Sequence, residues 1–452
     1  MRQETINALQ KIVGENNCKT DEAIRRQHGY SDTAIPDVVV YPQNSQQVAD
    51  IVKVAYNEGI PVVPWGAGTK ARIGLLPQTG GIAVNMTGMN QIVEYDYENQ
   101  TAYVEAGISY KALQEVLITH NLFWPVEPIE SDDCTVGGIL VSNAAGPTKL
   151  GYGDVKHHLL GLEMVTPTGD IINPGGKTVK NVQDYDNTRF MVGSWGSLGI
   201  ITKVMLKLKP MPEKETTVFL TFNDIESAYA AVRTIRNETT PLALEMMDNV
   251  AMSVMAKSGF NSGGNGVGVM FLYSGFIEQV DVMVDYVQKK FNSAVVLDEK
   301  ATATAWQARQ QMFPVFAGQR GAILATVAVP FTALGRFMRQ ARAELDKNRK
   351  GAAMVAHAGN GQIHVLLDQS PEAYAGVQEI VNRLASLASD VDGLLVVNNI
   401  TDMTLTRRWV EGRGRAMIDL MARIKSGVDP HHIMAPNSKV LSYVLNGTKA
   451  VS

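Results

Sequence analysis

HAGNGQIH, residues 357–364, sets His357 and His364 seven positions apart around two glycines. Imidazole both binds divalent metals and exchanges protons near neutral pH. Two of them on one glycine turn can therefore open either a metal site or a proton-transfer site. Both kinds of site demand further groups from elsewhere in the chain, and elements rigid enough to hold them together.

A second kind of chemistry is written in the N-terminal half. PWGAGTK (64–70), TVGGILVSNAAGP (135–147), KLGYGD (149–154) and GSWGSLGII (193–201) are all glycine-rich. Glycine lets main-chain N–H groups approach phosphate oxygens with no Cβ in the way. Each loop alone can equally be a tight turn between strands. Two facing loops of this type could sandwich a pyrophosphate. None ends in the Gly-Lys-Ser/Thr of a phosphate-binding P-loop, and none has the third glycine and following acid of a nicotinamide-binding Rossmann turn.

The chain has 452 residues and a formal charge of −4, with 45% hydrophobic and 19% charged residues. That is the composition of a globular enzyme, too long for one core, so two domains are expected. No apolar run is long enough to span a bilayer, and the charged, amphipathic N-terminus does not read as a signal peptide. Two cysteines, Cys18 and Cys134, exclude a disulfide framework and a four-cysteine cluster within this chain. A cytoplasmic location is the expectation, and the charge balance gives no reason to expect nucleic acid as a partner.

The elements that must position these groups follow from periodicity. VADIVKVAYNEG (48–59) has helical spacing, with Asn44 and Ser45 as candidate N-caps and Gly59 closing it. Residues 91–107 read as two strands joined at Glu98-Asn99, and 109–121 as a helix capped by Ser109. KPMPEKE (209–215) marks a boundary. Beyond it, strands at 216–222, 242–248, 266–274 and 293–299 alternate with helices near 225–236 and 277–291. This predicts a second α/β domain whose sheet is covered on one side by helices. A long helical stretch, 404–426, precedes the loop VDPHHIMAPNSKV. RRWVEGRGR (407–415) reads as a solvated basic face rather than a membrane or partner surface.

The ordered motifs VVVYPQNSQQVADIVKVAYNEGIPVVPWGAGT, TVGGILVSNAAGP, YGDVKHHLLGLEMVTPTGDI, GGKTVKN and YDNTRFMVGSWGSLGIITKVMLKL resemble the FAD-binding domain of the vanillyl-alcohol-oxidase superfamily. The branch they most resemble is that of the FAD-linked dehydrogenases of D-lactate, glycolate or D-2-hydroxyglutarate. The resemblance implies an α+β, two-domain fold of the PCMH/VAO type. It would comprise an FAD-binding domain at 1–212, an α/β substrate or cap domain at 213–425, and a tail at 426–452 that returns to the FAD domain. It also implies that Pro64, Gly66, Ala67, Gly68, Thr69 and Lys70 wrap the pyrophosphate, with Val136, Gly137, Gly138 and Asn143 on its other side. Gly146, Tyr152 and Gly153 would lie along the flavin or ribityl chain, Gly199 and Ile200 by the adenine side, and Asn437 and Lys439 in the returning tail. The first glycine loop lacks the histidine to which some members tether the flavin, so dissociable FAD is expected. Cys134 and the pair His157-His158 are the other nucleophiles nearby, the pair being read as lying at the surface.

On the substrate side, AWQARQ (305–310) resembles the branch's tryptophan-x-x-arginine stretch. Arg309 then inherits the binding of a substrate carboxylate, a task suited to a planar two-donor fork. An exposed helix arginine is the plain alternative. HAGNGQIH resembles the family's two-histidine turn, where a later glutamate completes a zinc-type site and the histidine after it is the base. Here Asn398 and Asn399 stand at those two positions. Asparagine is a poor ligand for such a metal and cannot take a proton. His357 and His364 are then two metal ligands without a third, so a divalent metal such as zinc is less favoured than its absence. The histidines either accept the substrate's hydroxyl proton themselves or are packed scaffold. Leu324 and Leu366 replace polar groups of the branch, which suits a larger, less charged substrate.

The function this implies is an FAD-dependent dehydrogenase. It would oxidise an alcohol, a 2-hydroxy acid or related carboxylate, by hydride transfer to flavin N5. Electrons would pass to an electron-transfer flavoprotein, a quinone or an iron–sulfur subunit. The expected assembly is a homo-oligomer or a multi-subunit complex, peripheral to the inner membrane through partner subunits if at all. The alternatives are an FAD-binding subunit of a multi-subunit complex with no substrate of its own, an oxidase of a benzylic alcohol, and, last, a scaffold that has lost its flavin.

Overall fold

The computed structural model describes residues 1–29, 34–71, 80–128, 132–176, 185–261, 266–317, 322–348, 351–368, 376–398, 415–436 and 438. The chain divides into two compact units. One holds 1–146, 154–211 and 413–452, the other 147–153 and 212–412.

In the first unit, Val38–Val40, Ile82–Asn85 and Val62–Trp65 lie side by side as parallel strands, with Cys18–Lys19 antiparallel at the edge. Val38–Val40 and Ile82–Asn85 are buried throughout, as parallel strands covered on both faces must be. The helix Ser45–Glu58 starts where the Asn44 side chain accepts from the Gln47 N–H and stops at Gly59, whose φ of 65° only glycine adopts at no cost. A five-stranded antiparallel sheet completes the unit, in the order Ile92–Asp96, Thr101–Glu105, Ile200–Lys207, Leu159–Val165, Ile171–Ile172. Its first two strands are the expected hairpin, and Ser109 caps the helix Tyr110–Ile118.

The C-terminal stretch rejoins this unit earlier than the expected boundary at 426. The helix Arg415–Val428 already belongs to it, because Lys425 is buried against the Ser197 carbonyl. Residues 147–153, read as part of the first domain, fall in the second unit, where Gly151 packs on Leu242 and donates to its carbonyl. The rest of the expected 404–426 helix and RRWVEGRGR lie outside the described residues up to 414.

The second unit is built on an eight-stranded antiparallel sheet. Its order is Val295–Val296, Lys214–Phe222, Val267–Gly275, Ala243–Met247, Ala353–His357, Gln362–Asp368, Ala322–Ala328, Leu394–Val397. Both faces are covered, not one. Leu244, Phe271, Ala325 and Met354 pack under the helices Ile225–Glu238, Ile277–Lys290, Leu334–Asn348 and Val377–Ser389. On the opposite face Phe219, Met247, Met270, Val355 and Leu366 pack under Asn249–Lys257, Glu299–Gln310 and Met312–Ala317. Strands such as Lys214–Phe222 and Val267–Gly275, buried on both faces over most of their length, demand such two-sided cover. The expected 293–299 strand shrinks to Val295–Val296, an exposed edge pair.

Candidate active site

The first unit contains two adjoining cavities that share Pro64, Trp65, Gly66, Thr135, Gly138, Val141 and Gly196. One is also lined by Ala67, Gly68, Thr69 and Lys70, the other by Gly137, Gly199 and Ile200. The parallel strand Val62–Trp65 delivers the first loop, and the seven-residue helix Val136–Ser142 delivers the second. Along the first loop the N–H groups of Ala67, Gly68 and Thr69 make no hydrogen bond among the described residues. Three successive open amides form a concavity for an anion. The loops approach so closely that a Cβ on Gly66 would come 2.2 Å from the Thr135 hydroxyl oxygen. These features fit a dinucleotide pyrophosphate, which needs open amides and no side chains between them and the ligand.

Other residues of the expected cradle have different surroundings. Val136 is buried in the core and its N–H is spent on the Ile108 carbonyl. Asn143 ends its helix in the left-handed conformation. Gly146 passes close to the Glu127 carbonyl, and Tyr152 and Gly153 belong to the second unit, where the Tyr152 hydroxyl faces Ser274. Asn437 and Lys439 lie outside the described residues. The His157-His158 pair splits: His157 is exposed and hydrogen-bonds the Asp154 N–H, whereas His158 is buried. Trp65, Thr135, Trp195 and Gly196 line the cavities without having been singled out as candidates. Trp195 is held at a φ of 54°, a strained value for a bulky residue.

The second unit collects a polar cluster on the sheet face under the helix Glu299–Gln310. Strand register puts it there. Glu245 lies directly opposite His357, His364 opposite Thr326, and the two histidines are diagonal neighbours. Their rings meet edge to face at 5.1 Å. The helix buries Ala305, Ala308 and Arg309 on one stripe, so the guanidinium enters the same face. Arg309 is 3% exposed, which sets aside the exposed-helix alternative.

Glu245 joins the parts. Its Oε2 accepts from Arg309 Nε at 2.7 Å and its Oε1 lies 2.6 Å from His357 Nδ1. Burial alone would raise its pKa, but the charges of His357 and Arg309 and their hydrogen bonds outweigh burial and leave it lowered. An ionised carboxylate only accepts, so His357 Nδ1 donates to it, and in the neutral form of the ring the open lone pair is on Nε2. Arg309 Nη2 is buried with no hydrogen-bond partner among the described residues. Asn398 donates to the Thr326 hydroxyl at 2.6 Å, and that hydroxyl lies 3.0 Å from His364 Nδ1. A Thr326 hydroxyl that accepts from Asn398 has its own proton available for Nδ1, the arrangement that leaves the His364 proton on Nε2. Asn399 lies outside the described residues. Leu324 and Leu366 face each other across the same sheet face.

Burial, then the charges of His357, Arg309 and Lys149, hold His364 well below the ordinary imidazole value of 6.5. As pH falls through 6.5 the unfolded chain takes up a proton that the folded chain refuses, so folded stability declines over that window. The variant His364→Asn should lose stability less steeply there, by up to about 1.4 kcal/mol per pH unit. Denaturant unfolding at about pH 7 and about pH 5.5 checks this. Equal acid losses in the two proteins would mean that His364 is protonated in the fold.

Among the described residues, no three His, Cys, Asp or Glu side chains converge as metal ligands, and no helix is long and apolar enough to cross a membrane.

Profiles of two known domains match the chain: the FAD binding domain over residues 36–175, and the C-terminal domain of FAD linked oxidases over residues 211–438. The chain belongs to the FAD-linked oxidases. It is 30% identical to a D-lactate dehydrogenase of Archaeoglobus fulgidus over 89% of this chain and 91% of that one. It is 28% identical to the glycolate oxidase subunit GlcD of Bacillus subtilis over 95% of each. The fold is that of p-cresol methylhydroxylase, with a TM-score of 0.78 at 19% identity over 97% of this chain and 96% of the other. This FAD-linked oxidase is therefore an FAD-dependent oxidoreductase with the two-domain fold of its family. Its cofactor is FAD, its substrate a small molecule, and its electrons pass to an acceptor.

Proposed function

We propose that this FAD-linked oxidase dehydrogenates a 2-hydroxy acid, of the D-lactate or glycolate type or with a larger apolar side chain suited to Leu324 and Leu366, to the 2-oxo acid. The observation that carries the reading is Arg309 Nη2, a buried cationic donor with no partner among the described residues. An orphaned donor of this kind is costly unless a ligand satisfies it, and a guanidinium fork selects a carboxylate. The names of the relatives supply the 2-hydroxy acid.

Bound FAD supplies the acceptor for the hydride released from carbon 2. Arg309, fixed through Nε by Glu245, binds the substrate carboxylate with its remaining donors. His357 Nε2 takes the hydroxyl proton, and the Glu245 carboxylate stabilises the imidazolium that forms. His364, neutral, donates a hydrogen bond from Nε2–H to the substrate oxygen as it becomes a carbonyl and keeps its proton. No metal is needed for these roles. The hydroxyl proton goes to His357 and the hydride carries both electrons to the acceptor, so the oxo acid forms with nothing else consumed. The acceptor beyond the flavin is an electron-transfer flavoprotein, a quinone or an iron–sulfur subunit. Two cysteines cannot hold an iron–sulfur cluster in this chain alone.

Anaerobic mixing of the FAD-loaded protein with a panel of D- and L-2-hydroxy acids and benzylic alcohols tests the reading. Bleaching of the flavin band by a hydroxy acid is the expected result. Bleaching by benzylic alcohols alone would replace it with the aromatic-alcohol alternative.

A further inference from the structure

The C-terminal helix carries a buried cation far from the histidine cluster in sequence. Lys425 is 2% exposed, and its three ammonium protons are all taken. They go to the Ser197 carbonyl at 2.7 Å, the Met434 carbonyl at 3.0 Å and the Asp429 carboxylate. Asp429, 0% exposed, in turn accepts from the N–H groups of Ile433 and Met434. An isolated surface pair at this i,i+4 spacing contributes little. A buried ammonium with every proton placed is instead a rigid three-way joint.

What the joint connects gives it meaning. Ser197 follows Trp195 and Gly196, which line the cofactor cavity on one side. Met434 lies beside Val62, with the Val62 N–H donating to the Ile433 carbonyl and the Ala435 N–H to the Val62 carbonyl. Val62 begins the strand that ends at Trp65 and opens into the glycine loop on the other side of the cavity. One ammonium thus ties the Trp195–Gly196 wall to the segment that braces the Val62–Trp65 wall. The strain at Trp195 needs such an anchor, because a bulky residue in the left-handed region persists only when its surroundings hold it.

We propose that Lys425, with Asp429, is a positioning residue for the cofactor: it clamps the two walls of the FAD cavity at a fixed spacing and so sets how slowly FAD leaves. The proposal rests on the reading of that cavity as the FAD cradle. Neither side chain touches the flavin. The clamp acts through main-chain carbonyls.

The test is the rate at which FAD leaves the full-length holoprotein, followed by the rise in flavin fluorescence on release. Lys425→Met and Asp429→Asn should each release FAD about ten-fold faster or more, since changes in affinity are carried mainly by dissociation. The FAD-induced rise in melting temperature should shrink in both. His431→Ala removes the stacking of His431 on Tyr56, at 4.1 Å, and leaves the clamp in place, so it should release FAD at the wild-type rate. Gly66→Val fills the cradle against Thr135 and should lose FAD outright.

Wild-type release from both clamp variants, with Gly66→Val still losing FAD, overturns the clamp and keeps the cradle. Unchanged binding in Gly66→Val as well overturns both. Equal acceleration by His431→Ala would assign the effect to the tail at large and not to Lys425. Failure of both clamp variants to fold would make the pair a folding element, and that too overturns the proposal.

Discussion

Replacing His357 by Asn should slow anaerobic reduction of the flavin by its hydroxy acid about 10²–10⁴-fold while leaving KM nearly unchanged. Asparagine can still donate one N–H to Glu245, so the buried carboxylate keeps a partner on that side. What disappears is the Nε2 lone pair and the imidazolium that Glu245 stabilises. The group is singled out by geometry. Glu245 Oε1 lies 2.6 Å from Nδ1, which fixes the tautomer, whereas the Thr326 hydroxyl, able to donate to Nδ1, suits the opposite tautomer on His364. The two histidines are therefore not interchangeable, one being poised to accept and the other to donate. Stopped-flow reduction with saturating substrate measures the rate constant directly. A loss smaller than about ten-fold would place the base elsewhere.

Arg309→Lys should lower kcat/KM for the hydroxy acid about 10²-fold, mostly through KM, corresponding to about 2.7 kcal/mol. Lysine keeps the charge beside Glu245 and so spares the fold the 3–5 kcal/mol, roughly, of a broken buried pair. It cannot both hold Glu245 through one donor and present others in a fork. Arg309 does both, because Nε faces Glu245 at 2.7 Å and Nη2 is left without a partner among the described residues. Steady-state kinetics across hydroxy acids of different chain length check the expectation. An unchanged KM would mean that the carboxylate is bound by another group.

Much of the frame was legible in the sequence for reasons that can be named. Asn44 and Gly59 bracket their helix because cap chemistry is local. The 91–107 hairpin and the Ser109 cap are local too. The glycine loops were legible because open amides and close approach both require glycine, as the contact between Gly66 and Thr135 shows. The two-sided cover of the second sheet was not drawn, although strands such as Lys214–Phe222 and Val267–Gly275 are apolar on both faces. That pattern was the available signal.

Glu245 is the principal residue that sequence reasoning missed. It stands alone as the carboxylate in LALEMM (242–247), where an acid inside an apolar strand must be paired to be tolerated. Its partners come from a helix 64 residues later and a strand 112 residues later, and only register brings them together. Lys425 and Asp429 were invisible for the opposite reason. At i,i+4 across the end of an amphipathic helix they look like any solvated pair, and only burial reveals the joint. By sequence Asn398 stands where the resemblance places a metal-binding glutamate. In the fold it orients Thr326 and, through it, His364, a role that needs no carboxylate.

The central claim is that a buried guanidinium recognises a carboxylate next to the alcohol being oxidised. The measurement closest to it is anaerobic flavin reduction by a 2-hydroxy acid and by its primary amide, which has the same carbinol and no charge. The account predicts rapid bleaching by the acid and at least about 10²-fold weaker kcat/KM for the amide, with the difference abolished in Arg309→Lys. Equal bleaching by acid and amide in the wild-type protein would contradict it.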